Sequence, residues 1–202
     1  MRKVISVMLA MLICASLIFT AFAAEGVFTP SVTAKPAPDV VAKEENAGTP
    51  VVEIVDEKED VVATFEVADV IVTPVSEVEE DHVSEETAAV LTEIYNKLST
   101  PDVKLSEAMP ALTEVVKDVD VDVLVVKDLF HVAVSEELAK ALEIEGNFLR
   151  VTLDAKIAPN QFVVVMVYAD GEWIPVEFVV NEDGTITCKL DVVGVVAILT
   201  KA

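Results

Sequence analysis

From residue 148 onward the chain is cut into short apolar runs by turn residues, and that rhythm limits the fold more than any other feature. Asp170-Gly171 and Asn181-Glu182-Asp183-Gly184 are tight-turn sequences, because Asn, Asp and Gly reach the positive-φ conformations that hairpins need. The runs between them are rich in valine and other β-branched residues, which favour strands. Residues 185–190 alternate most cleanly: Ile186, Cys188 and Leu190 fall on one face, and Thr185, Thr187 and Lys189 on the other. A period of two marks a strand with one buried face. Residues 148–153, 161–168, 173–180 and 192–199 read as further strands. Upstream, 51–55, 61–72 and 121–126 read the same way, with 130–134 continuing the last. Asp56-Glu57-Lys58-Glu59-Asp60 is a charged turn, and 77–82 an acidic loop. Several short strands with turns at this spacing predict a β-sandwich.

A helical insert interrupts the pattern. Ser84 is placed to cap a helix, with Glu85 and Glu86 in the first turn where the helix dipole favours anions. Ala88, Leu91, Ile94, Tyr95 and Leu98 then recur every three or four residues and form one apolar face. Thr100-Pro101 stops it. A shorter helix is predicted over 110–117, with Pro110 in its first turn and Leu112, Val115 and Val116 inward. Ser135-Glu136-Glu137 opens one more helical turn carrying Leu138 and Leu142. The predicted class is α+β: a β-sandwich-like half over 119–202, and a region over 51–118 that holds strands and the helical insert. The two regions form one domain or two; pattern alone leaves this open.

The N-terminus has another logic. Arg2 and Lys3 precede an uncharged apolar run from Val4 to Phe22, which ends in Ala21-Phe22-Ala23. A basic start, an apolar middle and small residues before a cleavage point make a secretory signal, residues 1–23, with the cut after Ala23. The alternative is an uncleaved anchor, since a bilayer needs about 20 apolar residues. Residues 24–50, with Pro30, Pro36 and Pro38, form a Pro-rich leader in which 27–32 is a candidate edge strand. The protein is therefore expected to be secreted. With no sorting-type tail or second apolar span in view, it is expected to be released or held by non-covalent contacts. Loss of the signal leaves Cys188 as the single cysteine, so no intrachain disulfide is expected.

Fourteen Lys and Arg face 36 Asp and Glu, a net charge of −22; loss of the two cations in the signal brings it to −24. Such a charge repels nucleic acid and anionic membrane surfaces. Cations, neutral glycans and basic or cell-envelope proteins remain as partners.

Candidate chemistry is sparse. His82 sits among Glu79, Glu80 and Asp81, a solvated charge run or a metal site. His131 lies in a strand pattern as a packed or edge-facing residue. No segment matches the common metalloprotease, serine-hydrolase or phosphate-loop motifs. Cys188 shares a face with Ile186 and Leu190 and reads as core, where a thiol is inert. Asp118, Asp120 and Asp122 alternate with valines; they are candidate calcium ligands or the solvent face of a strand. Tyr168 and Trp173 flank the Asp170-Gly171 turn. Pointing outward they would offer a stacking platform for a sugar ring, and pointing inward they would cover the core.

Asp170-Gly171-Glu172-Trp173 and Asn181-Glu182-Asp183-Gly184-Thr185-Ile186-Thr187 resemble the ends of small, uncharacterised secreted β-rich proteins of Gram-positive bacteria. Those often finish with a Ser-Pro-Ile/Phe-Ala-Phe strand, where this chain has Val193-Gly194-Val195-Val196-Ala197-Ile198. The resemblance runs from Gln161 onward; it implies export and a β-rich fold and carries no activity. The expectation is a non-enzymatic extracellular module, structural or adhesive, with no catalytic residue and no cofactor. The alternatives are a binding module for a neutral glycan or divalent cation, and a hydrolase whose carboxylate pair the pattern does not single out.

Overall fold

The structure, a computed structural model, describes residues 40–41, 43–44, 50–78, 83–99, 103–117 and 119–201. The signal, most of the leader, His82 and Asp118 lie outside them. The chain runs β1 (Val40–Val41), β2 (Lys43–Glu44), β3 (Pro50–Val55), β4 (Val61–Glu66), β5 (Val70–Pro74), α1 (Glu85–Leu98), α2 (Leu105–Ala108), α3 (Leu112–Val115) and β6 (Leu124–Val134). It continues with α4 (Glu136–Leu142), β7 (Phe148–Leu153), β8 (Val163–Ala169), β9 (Glu172–Pro175), β10 (Glu177–Val180), β11 (Ile186–Leu190) and β12 (Val195–Lys201).

The strands form two antiparallel sheets. The first has seven strands in the order β10-β11-β7-β3-β2, with β4 paired to β3 and β1 to β7. The second has five, β5-β6-β12-β8-β9. Both sheets draw strands from residues 51–118 as well as 119–202, so the two regions recognised in the sequence share their sheets.

Period-two patterning explains the core. From the first sheet, Val52, Ile54, Leu149, Val151, Leu153, Ile186, Cys188 and Leu190 enter one buried cluster. From the second, Phe130, Val132, Val134, Val165, Val167, Val196 and Ile198 enter the same cluster. The alternate residues of the second sheet, among them Val164, Met166, Val195, Ala197 and Leu199, join Leu91 and Ile94 of α1 and Leu105, Met109 and Leu112 in a second cluster. The second sheet is thus apolar on both faces, and β12 at its centre is buried from Val195 to Thr200. A strand covered on both sides has no reason to alternate, which is why this one reads as an unbroken apolar run.

Two predicted strands turn out to be two strands each. Residues 61–72 split at a 3-10 turn, Val67–Asp69, where the chain leaves the first sheet as β4 and enters the second as β5. The Asp69 carboxylate accepts the Glu66 N–H at 3.0 Å and fixes the corner. Residues 173–180 split at Val176, which is buried and donates its N–H to the Val165 carbonyl at 2.9 Å. There β9 belongs to the second sheet and β10 to the first. At Val176 the inward parity carries through from Ile174 to Phe178, so period alone does not reveal that corner; at Val67–Asp69 it shifts from Ala63, Phe65 and Val67 to Val70 and Val72. The predicted start of a strand at Val121 is instead a 3-10 turn, Val121–Val123, leading into a single eleven-residue β6 with a bulge opposite Ile198 and Leu199.

The helices follow their caps. Ser84 Oγ accepts the Thr87 N–H at 3.1 Å, and Ser135 Oγ accepts the Leu138 N–H at 3.4 Å. The helix predicted over 110–117 is only α3, with Pro110 in the turn before it; α2 was not foreseen, although Leu105, Ala108, Met109 and Leu112 carry helical spacing.

Gly194 shows how tightly the centre of the second sheet is fixed. Its carbonyl accepts the Val132 N–H at 2.8 Å, and a Cβ added there would stand 2.4 Å from the Tyr168 carbonyl oxygen. Backbone lies on both sides, so neither neighbour yields easily. Gly194→Ala is expected to cost about 1–3 kcal/mol, the usual range for overpacking. Urea denaturation measures it; an unchanged midpoint would mean that β8 can move away from β12.

Candidate functional site

The carboxylate row expected on a strand face sits in a helical corner. Asp120 caps the Val121–Val123 turn, its Oδ1 accepting the Asp122 N–H at 3.1 Å. Asp122 reaches back to α2, with Oδ1 accepting the Ser106 N–H at 2.9 Å and Oδ2 the Ser106 hydroxyl at 3.1 Å. The Ser106 N–H is the main reason the Asp122 carboxyl is held below its usual range. Asp122 therefore fastens α2 to the turn before β6, and Asp120 holds that turn. Asp118 and His82 lie outside the described residues, and among those described no three His, Cys, Asp or Glu side chains are grouped to hold a metal ion. Asp122→Ala is expected to lower the melting temperature equally with and without calcium. A loss of stability seen only in calcium would return these carboxylates to the metal reading.

The aromatic pair is internal. Tyr168 and Trp173 are directly opposite in the β8–β9 hairpin, whose turn puts Asp170 at φ 52° and Gly171 at φ 84°. Their rings meet edge to face, with centroids 5.3 Å apart and planes at 64°. Trp173 is 8% exposed and belongs to the second cluster, with Tyr168 packed against it. Of the two orientations the sequence leaves open, Trp173 takes the inward one. Ile174, Val176 and Phe178 pack into the first cluster while Trp173 packs into the second, so neither set faces solvent. The cause is that β9 lies in the second sheet, which is covered on both faces, so its consecutive side chains point into different cores.

His131 and Cys188 are packed among apolar side chains. His131 pairs in register with Thr73 and Val195, is 5% exposed, and is pushed down to about 4 by burial. Cys188 lies between Val151 and Phe178 and is pushed up to about 12 by burial. A thiol so shifted carries almost no thiolate at neutral pH.

The most organised polar feature was not singled out in the sequence. Glu53, Arg150, Lys189 and Glu177 stand in register across β3, β7, β11 and β10, on the face of the first sheet away from the core. Arg150 meets Glu53 at 3.2 Å, and Lys189 approaches Glu177 at 3.8 Å. Glu59, from the β3–β4 turn, bonds both cations and closes the row. Lys189 first, and then Arg150, hold the Glu59 carboxyl below its usual range. Lys189 Nζ also lies 4.5 Å from the Phe148 ring centroid. Each of these residues shows outward parity in its own strand, but their meeting depends on strand order and register, which the sequence does not display. The row consumes two of the few cations; Lys127 is likewise tied to Asp128 at 2.9 Å and Lys140 to Glu136 at 2.7 Å. What faces solvent is accordingly dominated by acids.

Comparison with protein-family models, curated proteins and solved structures finds no match to this chain.

Proposed function

We propose that this is an exported, non-enzymatic extracellular module, structural or adhesive, that acts by binding or assembly. The observation that carries the reading is where the reactive side chains sit. His131, Cys188, Trp173 and Tyr168 are spent on packing, and Asp120 and Asp122 on fastening a corner. The two sheets, sharing one core cluster with α4, are read as a β-sandwich with α1, α2 and α3 laid on the other face of its second sheet. The basic start, apolar run and Ala21-Phe22-Ala23 support export with cleavage after Ala23. The turn sequences support kinship with the small secreted β-rich proteins of Gram-positive bacteria. The acidic surface disfavours nucleic acid and anionic membranes and leaves a cell-envelope protein as the natural partner.

Two measurements test this. Expression of the full chain should place the protein outside the cytoplasm with Ala24 as its first residue; an intact chain in the cytoplasm would refute export. Thermal unfolding with calcium and a panel of neutral glycans should show no shift. A ligand at about a hundred times its dissociation constant adds about 2.7 kcal/mol, so a clear upward shift would replace this reading with a ligand-binding module.

A further inference from the structure

The free sides of the outer strands differ in how they are protected. Edge strands are kept from pairing by prolines, lysines, bulges or charge, because their unpaired N–H and C=O groups otherwise template another strand. In the second sheet, β5 ends in Pro74 and β9 in Pro175. In the first sheet, β4 has a register irregularity between its Val61 and Ala63 pairings and ends in Glu66. β10 has none of the first three devices. Its four residues pair in unbroken register with β11, from Glu177 opposite Lys189 to Val180 opposite Ile186, and among the described residues it pairs with no other strand. It also carries the most exposed large apolar side chain described, Val179 at 62%, with Val180 at 39%.

The geometry points to a second copy of this chain as the occupant of that edge, with β10 pairing antiparallel to β10 about a two-fold axis through Val179. Parity and the exposed Val179 select this register, and charge permits it. A two-fold that keeps each sheet face continuous sets residues of like parity opposite one another. Centred on Val179, it places Val179 against Val179 on the outer face and Phe178 against Val180 on the core face. Glu177 then meets Asn181, where the chain enters the β10–β11 turn. Over residues 177–181 no acid faces an acid, although the chain carries −22 overall. The valines that stand exposed on one copy are covered by the other, and the first sheet runs on through both. This inference rests on the reading of a module that works by assembly, and it names the partner.

Net repulsion between two acidic copies gives the association a sign: it strengthens with salt, since the Debye length falls to about 3 Å at 1 M. The test uses protein purified from cells expressing the full chain, from whichever fraction holds it, so that a failure of export and a failure of pairing are read separately. Sedimentation velocity from micromolar to near-millimolar concentration should show a reversible dimer that grows with salt. Val179→Lys, which adds a gatekeeper to an exposed position, should abolish the dimer without changing the melting temperature. Val179→Cys should cross-link under mild oxidation much faster than Val61→Cys on the opposite edge, because directly opposed Cβ atoms lie about 4.5–5.5 Å apart. A monomer at every concentration and salt, a dimer that survives Val179→Lys, or equal cross-linking by the two cysteine variants would overturn the proposal.

Discussion

Trp173→Ala is expected to lower the free energy of unfolding by about 3–5 kcal/mol, the range for deleting a large aromatic from a core. The ring is 8% exposed and packs in the cluster that holds Leu91, Leu105, Met109, Leu112 and Val164. Truncation removes its buried apolar surface and leaves a cavity between the second sheet and the helices. It also removes the edge-to-face contact with Tyr168, worth about 0.5–1.5 kcal/mol. A tryptophan displayed for sugar stacking would behave otherwise, since surface substitutions generally stay within about 0.5 kcal/mol. Urea denaturation separates the two. A midpoint within error of the unmodified protein would move Trp173 to the surface and revive the glycan platform. Tyr168→Phe keeps the ring contact and should cost far less.

Stability should also depend on pH through His131. Its folded value is pushed from 6.5 to about 4 by burial, so the neutral form is the one the fold accepts. Above pH 6.5 the imidazole is neutral whether folded or unfolded, and its contribution is complete. As pH falls below 6.5 the unfolded chain takes up a proton that the folded chain refuses, and stability declines until pH passes through about 4. A shift of this size corresponds to about 3 kcal/mol lost between pH 7 and pH 4. Carboxylates titrate in the lower part of the same window, so the useful quantity is the difference from His131→Gln, which has no such proton to bind. That difference should narrow by about 3 kcal/mol across the window. Parallel curves for the two proteins would show that His131 is not excluded from water.

The same residues show what a sequence discloses and where it stops. Ile186, Cys188 and Leu190 announced their shared face because one side of β11 is buried and the other carries Thr187 and Lys189. Ser84 and Ser135 announced α1 and α4, since caps act over a single turn. The corner at Val176 stays hidden because the strand that changes sheets goes on burying alternate side chains, whereas at Val67–Asp69 the inward set shifts from Phe65 and Val67 to Val70 and Val72. Trp173 was ambiguous for a related reason: period two separates two faces but cannot tell solvent from a second core. Asp120 and Asp122 alternate with valines and so leave ligand row and solvent face open in the sequence; their partners, a 3-10 turn and the Ser106 backbone, show only in the fold. The Glu53–Arg150–Lys189–Glu177 row needed pairings across up to 97 positions, and no local pattern reaches that far.

β12 has a bearing on the order of events during synthesis. It is the middle strand of the second sheet, flanked by β6 and β8, yet nearly every other residue of that sheet leaves the ribosome before it. Until residues 195–201 emerge, β6 and β8 have nothing between them and both apolar clusters lie open. Closure then joins segments far apart along the chain, a topology that belongs to the slower, millisecond-to-second folders. A growing chain of this kind stays open until residues 195–201 appear.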